Sequence, residues 1–351
     1  MNNLVLGNKT VGENYPAFII AEIGINHQGD VNIARELIQK AKECGADAVK
    51  LQKRSISRIL TKAGLEMAYD NRNSFGKTYG EHKKALELSE SDYQQLFSFC
   101  EEINIIFCAS GWDEESIDFL DELGIPYFKM ASADLTNFPL LIHTAKKNKP
   151  MILSTGMADM KMVQAAYSQI IQLNNQIAIL QCTSTYPSAF SEVHLNVLQT
   201  YIKEFPNAII GYSGHEQGIA IPPAAVALGA RIIERHFTLD RTMKGGDHAA
   251  SLEPQGFSKM VRDIHHIEEA MGSTEKKVQD SEAPVFRKLS KSIVSAVDIN
   301  SGDTITADML TTKGPGTGIS PIRLNELIGK ICKINIPTDQ VIMEDDIQWQ
   351  N

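Results

Sequence analysis

The sequence predicts an α/β protein: a (β/α)8 TIM barrel followed by a small β-rich domain. Three observations carry this. Eight short apolar runs alternate with amphipathic helical stretches. Polar residues stand at the C-terminal ends of nearly all eight runs, where a barrel gathers its active site. After about residue 272 the texture changes to short β-rich pieces separated by turn signals.

The strand-like runs are Ala17–Ile23, Ala48–Gln52, Ile105–Ala109, Tyr127–Met130, Met151–Ser154, Ile177–Cys182, Ile209–Tyr212 and Arg231–Arg235. The first helical stretch, Val31–Cys44, sets Ile33, Leu37, Ile38 and Ala41 on one face, and Gly45 stops it. Glu114–Leu123, Phe138–Lys147, Met160–Leu173, Leu195–Phe205 and Gly218–Leu228 behave similarly, and Gly256–Met271 closes the series. A doubly wound open sheet is the alternative, but no strand leads into a GxGxxG fingerprint. Arg54–Leu88 interrupts the alternation as a long polar insertion, the length of a lid or binding loop. The domain expectation is a barrel over 1–272, a linker over 273–290 and a small domain over 291–351. The last carries strand-like pieces at Ser292–Val297, Thr304–Thr306, Ile331–Ile336 and Val341–Ile342.

Composition narrows the function. Hydrophobic residues make up 43% and charged residues 22%, which excludes a disordered or fibrous chain. A net charge of −9 gives no electrostatic footprint for nucleic acid, although a pocket can be locally basic. Cys44, Cys100, Cys108, Cys182 and Cys332 are scattered without a CxxC pair and read as reduced, buried thiols. No secretory pattern and no apolar run of about 18 residues is present, so the expectation is a cytoplasmic protein with no membrane association.

The strand ends supply the chemistry. In order they present Glu22, then Lys50 and Gln52, Ser110, Lys129 with Ser132 and Asp134, Ser154, Ser184 with Tyr186, Ser213 with His215, and Glu234 with His236. Asp247 follows in a Gly-rich loop. A lone strand-end lysine is usually solvated. Lys50 and Lys129 are instead embedded in apolar sequence, AVKLQ and YFKMAS. With the hydroxyls they suit a phosphorylated or carboxylated ligand. His215 and His236 end neighbouring strands about 5 Å apart, close enough to share one divalent metal. Glu22 closes the ring beside strand eight, as a third ligand, a proton-handling carboxylate or a partner of Lys50.

These residues fall in motifs that resemble the sialic acid synthase (N-acetylneuraminate synthase) family, including its legionaminic, pseudaminic and animal-type N-acylneuraminate-9-phosphate members. The motifs are IIAEIGINHQGD (Ile19–Asp30), ADAVKLQK (Ala46–Lys53), GKTYGEHK (Gly76–Lys83), FKMASAD (Phe128–Asp134), LSTGM (Leu153–Met157), LQCTSTYP (Leu180–Pro187), GYSGHEQG (Gly211–Gly218), ERHFTLD (Glu234–Asp240) and GGDHAASLEP (Gly245–Pro254). The resemblance runs almost end to end. It implies a (β/α)8 barrel with an antifreeze-like SAF domain, working as a domain-swapped homodimer. It implies an enzyme, a transferase that joins phosphoenolpyruvate to a hexosamine-type sugar. It makes Glu22, Lys50, Lys129 and Asp247 the catalytic residues. Lys50, Ser110, Lys129, Ser132, Ser154 and Ser213 would line the phosphoenolpyruvate site. Gln52, Asn73 and Tyr186, with Glu22 and Asp247, would face the sugar or a water on the metal. Asp134 and Ser184 join the substrate-binding set. His215 and His236 would bind Mn²⁺, with Mg²⁺ or Co²⁺ as the other candidates.

Two departures bear on the acceptor. Bacterial members carry KRPG in the small domain, and here Gly314 stands at the arginine position. GKTYGEHK and CASGWDE (Cys108–Glu114) are closer to animal-type members, which use a 6-phosphorylated sugar. Lys77, Lys83 and Lys84 suit such a phosphate, or equally a solvated loop face. N-acetylmannosamine leads as acceptor. A pyruvate Schiff-base aldolase is the distant enzymatic alternative, and a sugar- or ice-binding protein the non-enzymatic one.

Overall fold

The computed structural model describes residues 3–349. The chain divides into two compact units, 1–272 and 273–351. The first is built on eight parallel strands: β1 (Phe18–Gly24), β2 (Ala48–Lys53), β3 (Ile106–Gly111), β4 (Phe128–Met130), β5 (Met151–Ser154), β6 (Ile177–Cys182), β7 (Ile209–Gly214) and β8 (Ile232–His236). Their hydrogen-bonded order is β3-β2-β1-β8-β7-β6-β5-β4, so β8 returns to lie beside β1. β3 and β4 pack together without a ladder, leaving a nearly closed barrel.

Eight helices cover the outside: α1 (Val31–Glu43), α2 (Glu90–Glu102), α3 (Glu114–Leu123), α4 (Phe138–Ala145), α5 (Met160–Ile170), α6 (Val197–Glu204), α7 (Ile221–Ala227) and α8 (Pro254–Met271). Local chemistry sets their ends. The Asp30 carboxylate accepts from Asn32 N and Ile33 N and caps α1. Ser89 and Asp92 form a capping box on α2, a helix beyond those the sequence predicts. Gly124, with φ of 89°, ends α3 in the left-handed conformation that glycine favours. α1 buries Ala34, Leu37, Ile38 and Ala41 at helical spacing. Each large aliphatic side chain of this kind contributes roughly 1.5–3 kcal/mol.

A short hairpin, Leu4–Leu6 paired with Lys9–Val11, precedes β1 and adds two strands to those the sequence predicts. Leu4, Leu6 and Val11 join the barrel-interior cluster with Phe18, Ile20, Ala48, Ile152, Leu180 and Ile232. They fill the N-terminal end of the barrel. The insertion after β2 is not structureless. It holds three short helices, Ile56–Ile59, Lys62–Glu66 and Tyr79–Ala85.

The second unit has a small core rich in isoleucine, with Ile293, Ile299, Ile305, Ile319, Ile336, Ile342 and Ile347 all buried. Its ladders pair Ser292–Ser295 with Leu310–Lys313 and Ile331–Cys332 with Ile347–Gln348. Two expected strands shrink to single bridges, Thr304 to Ile331 and Val341 to Val294. The stretch expected as a linker carries a helix, Ala283–Leu289.

Candidate active site

Strand alternation sorts the barrel interior into layers. Inward positions near the N-terminal ends are apolar. Two residues further along each strand they turn polar: Glu22 follows Ile20, Lys50 follows Ala48, Ser154 follows Ile152, and Glu234 follows Ile232. Two residues on again, His236 follows Glu234 and His215 follows Ser213. Register brings Glu22 beside both Lys50 and His236, Gln52 beside Ser110, and Glu234 beside Ser213.

Two lysines and two glutamates interleave at the centre, all 5% exposed or less. Lys50 Nζ lies 2.9 Å from Glu22 Oε2 and 3.6 Å from Glu234 Oε1. Lys129 Nζ lies 3.6 Å from the same Glu234 oxygen and donates to Ser154 Oγ at 2.7 Å. Gln52 Nε2 donates to Glu22 Oε1 at 3.0 Å, and Ser213 Oγ donates to Glu234 Oε1 at 3.2 Å. Burial pushes Glu22 up to about 7; Lys50 opposes this and the Glu234 charge adds to it. Burial also acts against ionised Glu234, yet Lys129 and Lys50 overcome it and hold Glu234 below the carboxylate range. Lys50 keeps its proton, because Glu22 and Glu234 together outweigh its burial. When Glu22 takes a proton, Lys50 and Lys129 face one carboxylate, and burial lowers Lys129 from its ordinary value. The pocket is then positive inside an acidic protein, which is what an anion requires.

The two histidines share the layer above, with ring centroids 5.2 Å apart. His215 Nδ1 lies 2.7 Å from Thr183 O. A carbonyl only accepts, so Nδ1 carries the proton; burial opposes the charged ring, but Cys182 and the Thr183 carbonyl outweigh it and raise His215 above its ordinary value, and only in the neutral ring does Nε2 hold a lone pair. His236 Nδ1 is buried without a hydrogen-bond partner, and Asp247 Oδ2 lies 3.8 Å away. Burial, then the charges of His215 and Lys50, push His236 well below its ordinary range, which keeps it in the neutral, ligating form. Among the described residues no group of three or more His, Cys, Asp or Glu is arranged to hold a metal. The residues that could hold a divalent ion here are the two imidazoles alone, with the unpartnered His236 Nδ1 between His215 and Asp247.

Two glycines make room. Gly24 has φ of 54°, and a β-carbon there would sit 3.0 Å from Glu22 Oε1 and 3.1 Å from Gln52 Nε2. A β-carbon on Gly156 would collide with Ser184 Oγ at 2.1 Å and Ser132 Oγ at 2.9 Å.

A cavity of about 200 Å³ collects Glu22, Lys50, Gln52, Ser110, Lys129, Ser132, Ser154, Ser184, Tyr186, Ser213, His215 and His236 in its wall. Asp247 stands beside it, next to His236. Asn73 and Asp134 are not brought in. Asn73 lies in the turn 71–74 of the insertion, its N–H donating to Asn71 Oδ1. Asp134 Oδ1 accepts from Asn137 Nδ2 at 3.1 Å, at the start of α4. Cys182, Trp112 and Met157 also line the cavity and were not in the expected set, and Glu234, named there as a strand-end residue, had been given no role. Glu234 was within reach of sequence reasoning, because it shares the inward face of its strand with His236. Trp112 and Met157 lie past strand ends, where no periodicity points inward.

Known proteins show similar chains. The NeuB family model matches residues 37–276, and the SAF domain model matches 290–348. N-acetylneuraminate-9-phosphate synthase of Mus musculus is 47% identical over 339 residues, covering 96% of this chain and 94% of that protein. N,N'-diacetyllegionaminic acid synthase of Legionella pneumophila is 38% identical over 353 residues, covering 99% of both. The crystal structure of N-acetylneuraminic acid (sialic acid) synthetase from Leptospira borgpetersenii in complex with citrate has a TM-score of 0.71 at 33% identity. It covers 81% of this chain and 95% of that one.

Proposed function

The chain belongs to the NeuB family, and from that premise we propose that it is a sialic acid synthase, condensing phosphoenolpyruvate, an N-acylated amino sugar and water. The observation that carries this is the Lys50–Glu22–Glu234–Lys129 quartet beneath the His215–His236 pair at one mouth of the barrel.

Lys50 and Lys129 hold the phosphoenolpyruvate anion, with Ser110, Ser132, Ser154 and Ser213 as hydroxyl donors. Carbon 3 of phosphoenolpyruvate bonds to the aldehyde carbon, and the aldehyde oxygen takes a proton. Water adds at carbon 2, and the C–O bond to phosphate breaks. The products are a 2-keto acid longer by three carbons and inorganic phosphate. Glu22, poised near neutrality, gives its proton to the aldehyde oxygen and takes one from the water. Gln52 orients Glu22, and Tyr186 and Asp247 border the space above. His215 and His236 are the residues that would hold a divalent ion, Mn²⁺ first, then Mg²⁺ or Co²⁺. Such an ion would supply Lewis-acid polarisation of the aldehyde oxygen.

N-acetylmannosamine leads as acceptor. A 6-phosphorylated acceptor is the second reading, favoured by the 47% identity to N-acetylneuraminate-9-phosphate synthases. The working unit is a domain-swapped homodimer, supported by exposed apolar side chains at Met157, Tyr186 and Phe190 around the mouth. The compartment is the cytoplasm, supported by five free, buried cysteines. Among the described residues no helix is long and apolar enough to cross a membrane. One assay tests the reaction: phosphate release from phosphoenolpyruvate with Mn²⁺ and each sugar separately. Release independent of every sugar, or a borohydride-trapped pyruvate adduct on lysine, sinks the reading.

A further inference from the structure

The carboxylate of Asp247 holds its place without a hydrogen bond of its own. Its Oδ2 lies 3.8 Å from His236 Nδ1, and a β-carbon on Gly24 would stand 3.4 Å from it. Among the described residues neither oxygen accepts a hydrogen bond. A carboxylate so placed goes where its backbone goes. That backbone follows two glycines, Gly245 with φ of 151° and Gly246, in a segment outside any strand. Glycine leaves a loop freer than any other residue does, so other contacts must fix this one.

Those contacts come from the loop after β1. Asn26 and Ser251 are 1% and 2% exposed. Asn26 Nδ2 donates to Phe237 O and to Ser251 Oγ, both at 2.9 Å. Ser251 Oγ donates in turn to Asp247 O at 2.7 Å. The direction of this relay is fixed, because Phe237 O only accepts and the amide nitrogen must face it. Phe237 follows His236 directly. One asparagine therefore grips both the strand end that carries His236 and the loop that carries Asp247. Leu252 N donates to His236 O at 2.8 Å and extends the grip. Elsewhere the loop is held at its start, where Gln28 Nε2 donates to Lys244 O at 2.7 Å, and at His248, whose Nδ1 lies 2.7 Å from Thr238 Oγ1. Asn26 Oδ1 is buried without a partner. An apolar side chain would avoid that cost to stability, so the amide is there for what its nitrogen holds.

We propose that Asn26 and Ser251 are positioning residues for Asp247, a two-link relay that sets its carboxylate beside His236. Neither side chain lines the cavity, and neither bonds to the lysine–glutamate quartet. Loosening the relay therefore displaces Asp247 and leaves the anion site intact. The effect on turnover rests on the synthase reading above; the effect on the loop rests on the hydrogen bonds alone.

The test compares wild type, Ser251→Ala, Asn26→Ala and the double variant by amide hydrogen exchange and by turnover. Peptides spanning 245–252 should exchange at least tenfold faster in each variant, while peptides from β6 and α8 keep their wild-type rates. Unchanged exchange in 245–252, or acceleration spread evenly over the chain, overturns the relay. Ser251→Ala alone decides this arm if Asn26→Ala does not fold. Turnover is phosphate release from phosphoenolpyruvate with Mn²⁺ and N-acetylmannosamine or its 6-phosphate. Ser251→Ala should lower kcat at least fivefold and shift KM for phosphoenolpyruvate less than twofold. The double variant should match Asn26→Ala within twofold, because both substitutions cut one relay. An unchanged kcat, or losses that multiply, overturns the positioning role. A wild type that turns over neither sugar sinks the synthase reading instead, and exchange alone then decides the relay.

Discussion

Replacing Arg235 with methionine tests whether the outer faces of β7 and β8 hold the histidines in place. Arg235 and Glu216 are both fully buried. Arg235 Nη1 lies 2.6 Å from Glu216 Oε1 and donates to Gly218 O at 3.1 Å, while Nη2 donates to Glu216 O. Tyr212 OH donates to Glu216 Oε2 at 2.7 Å. Each member of the pair is the chain neighbour of a histidine, Glu216 of His215 and Arg235 of His236. Removing one partner of a buried ion pair strands the other charge, at a cost of about 3–5 kcal/mol. For a unit of this size that lowers the melting temperature by roughly 6–15 °C. Arg235→Met with Glu216→Gln removes both charges and recovers a good part of the loss, because no charge is then left buried without its partner. Scanning calorimetry of the two single variants and the double variant closes the cycle. If Arg235→Met costs under about 1 kcal/mol, or the double variant simply sums the singles, the pair does not hold these strand ends and the reasoning fails.

Further outcomes follow from the same geometry. Lys129→Met should lower kcat/KM for phosphoenolpyruvate at least about 100-fold, equivalent to about 2.7 kcal/mol of lost anion stabilisation; a change below fivefold contradicts the role. Chelation should abolish turnover and Mn²⁺ should restore it in wild type but not in His236→Ala; full turnover of that variant in chelator refutes the metal role. Burial, then Arg54, push His27 down to about 4 from an unfolded value of 6.5. Its neutral form therefore favours the folded state above pH 6.5, and up to roughly 3 kcal/mol of that is lost as pH falls from 6.5 to 4. Denaturant titrations across this window should show the loss in wild type and a shallower one in His27→Gln; identical slopes count against it.

The barrel was legible because its strands are short, apolar and buried on both faces, and because β-period alternation puts every second residue inside. Lys50 and Lys129 stood out since an apolar strand rarely carries a lysine without a partner. The hairpin at Leu4–Val11 escaped because three-residue strands carry no measurable period. α2 escaped because the polar insertion before it masks its start, although Ser89 and Asp92 spell a cap. Asn73 and Asp134 entered the expected set through the resemblance, and the turns that hold them, with Asn73 N–H on Asn71 Oδ1 and Asp134 Oδ1 accepting from Asn137 Nδ2, are encoded by no spacing. Arg54 reads in sequence as an ordinary charged loop residue. Its burial depends on how the insertion folds back, with Ala85 O packed so close to Gly29 that a β-carbon there would lie 2.1 Å away.

The hairpin that fills the N-terminal end of the barrel also sets an order of events. With Leu4, Leu6 and Val11 seated among the interior side chains, the tube is blind at that end. Glu234, which both lysines face, lies one inward position, about 6.6 Å along its strand, below His236. Everything enters and leaves through one door. On the synthase reading, an anion seated on the lysines enters before the sugar and leaves after the sugar-derived product.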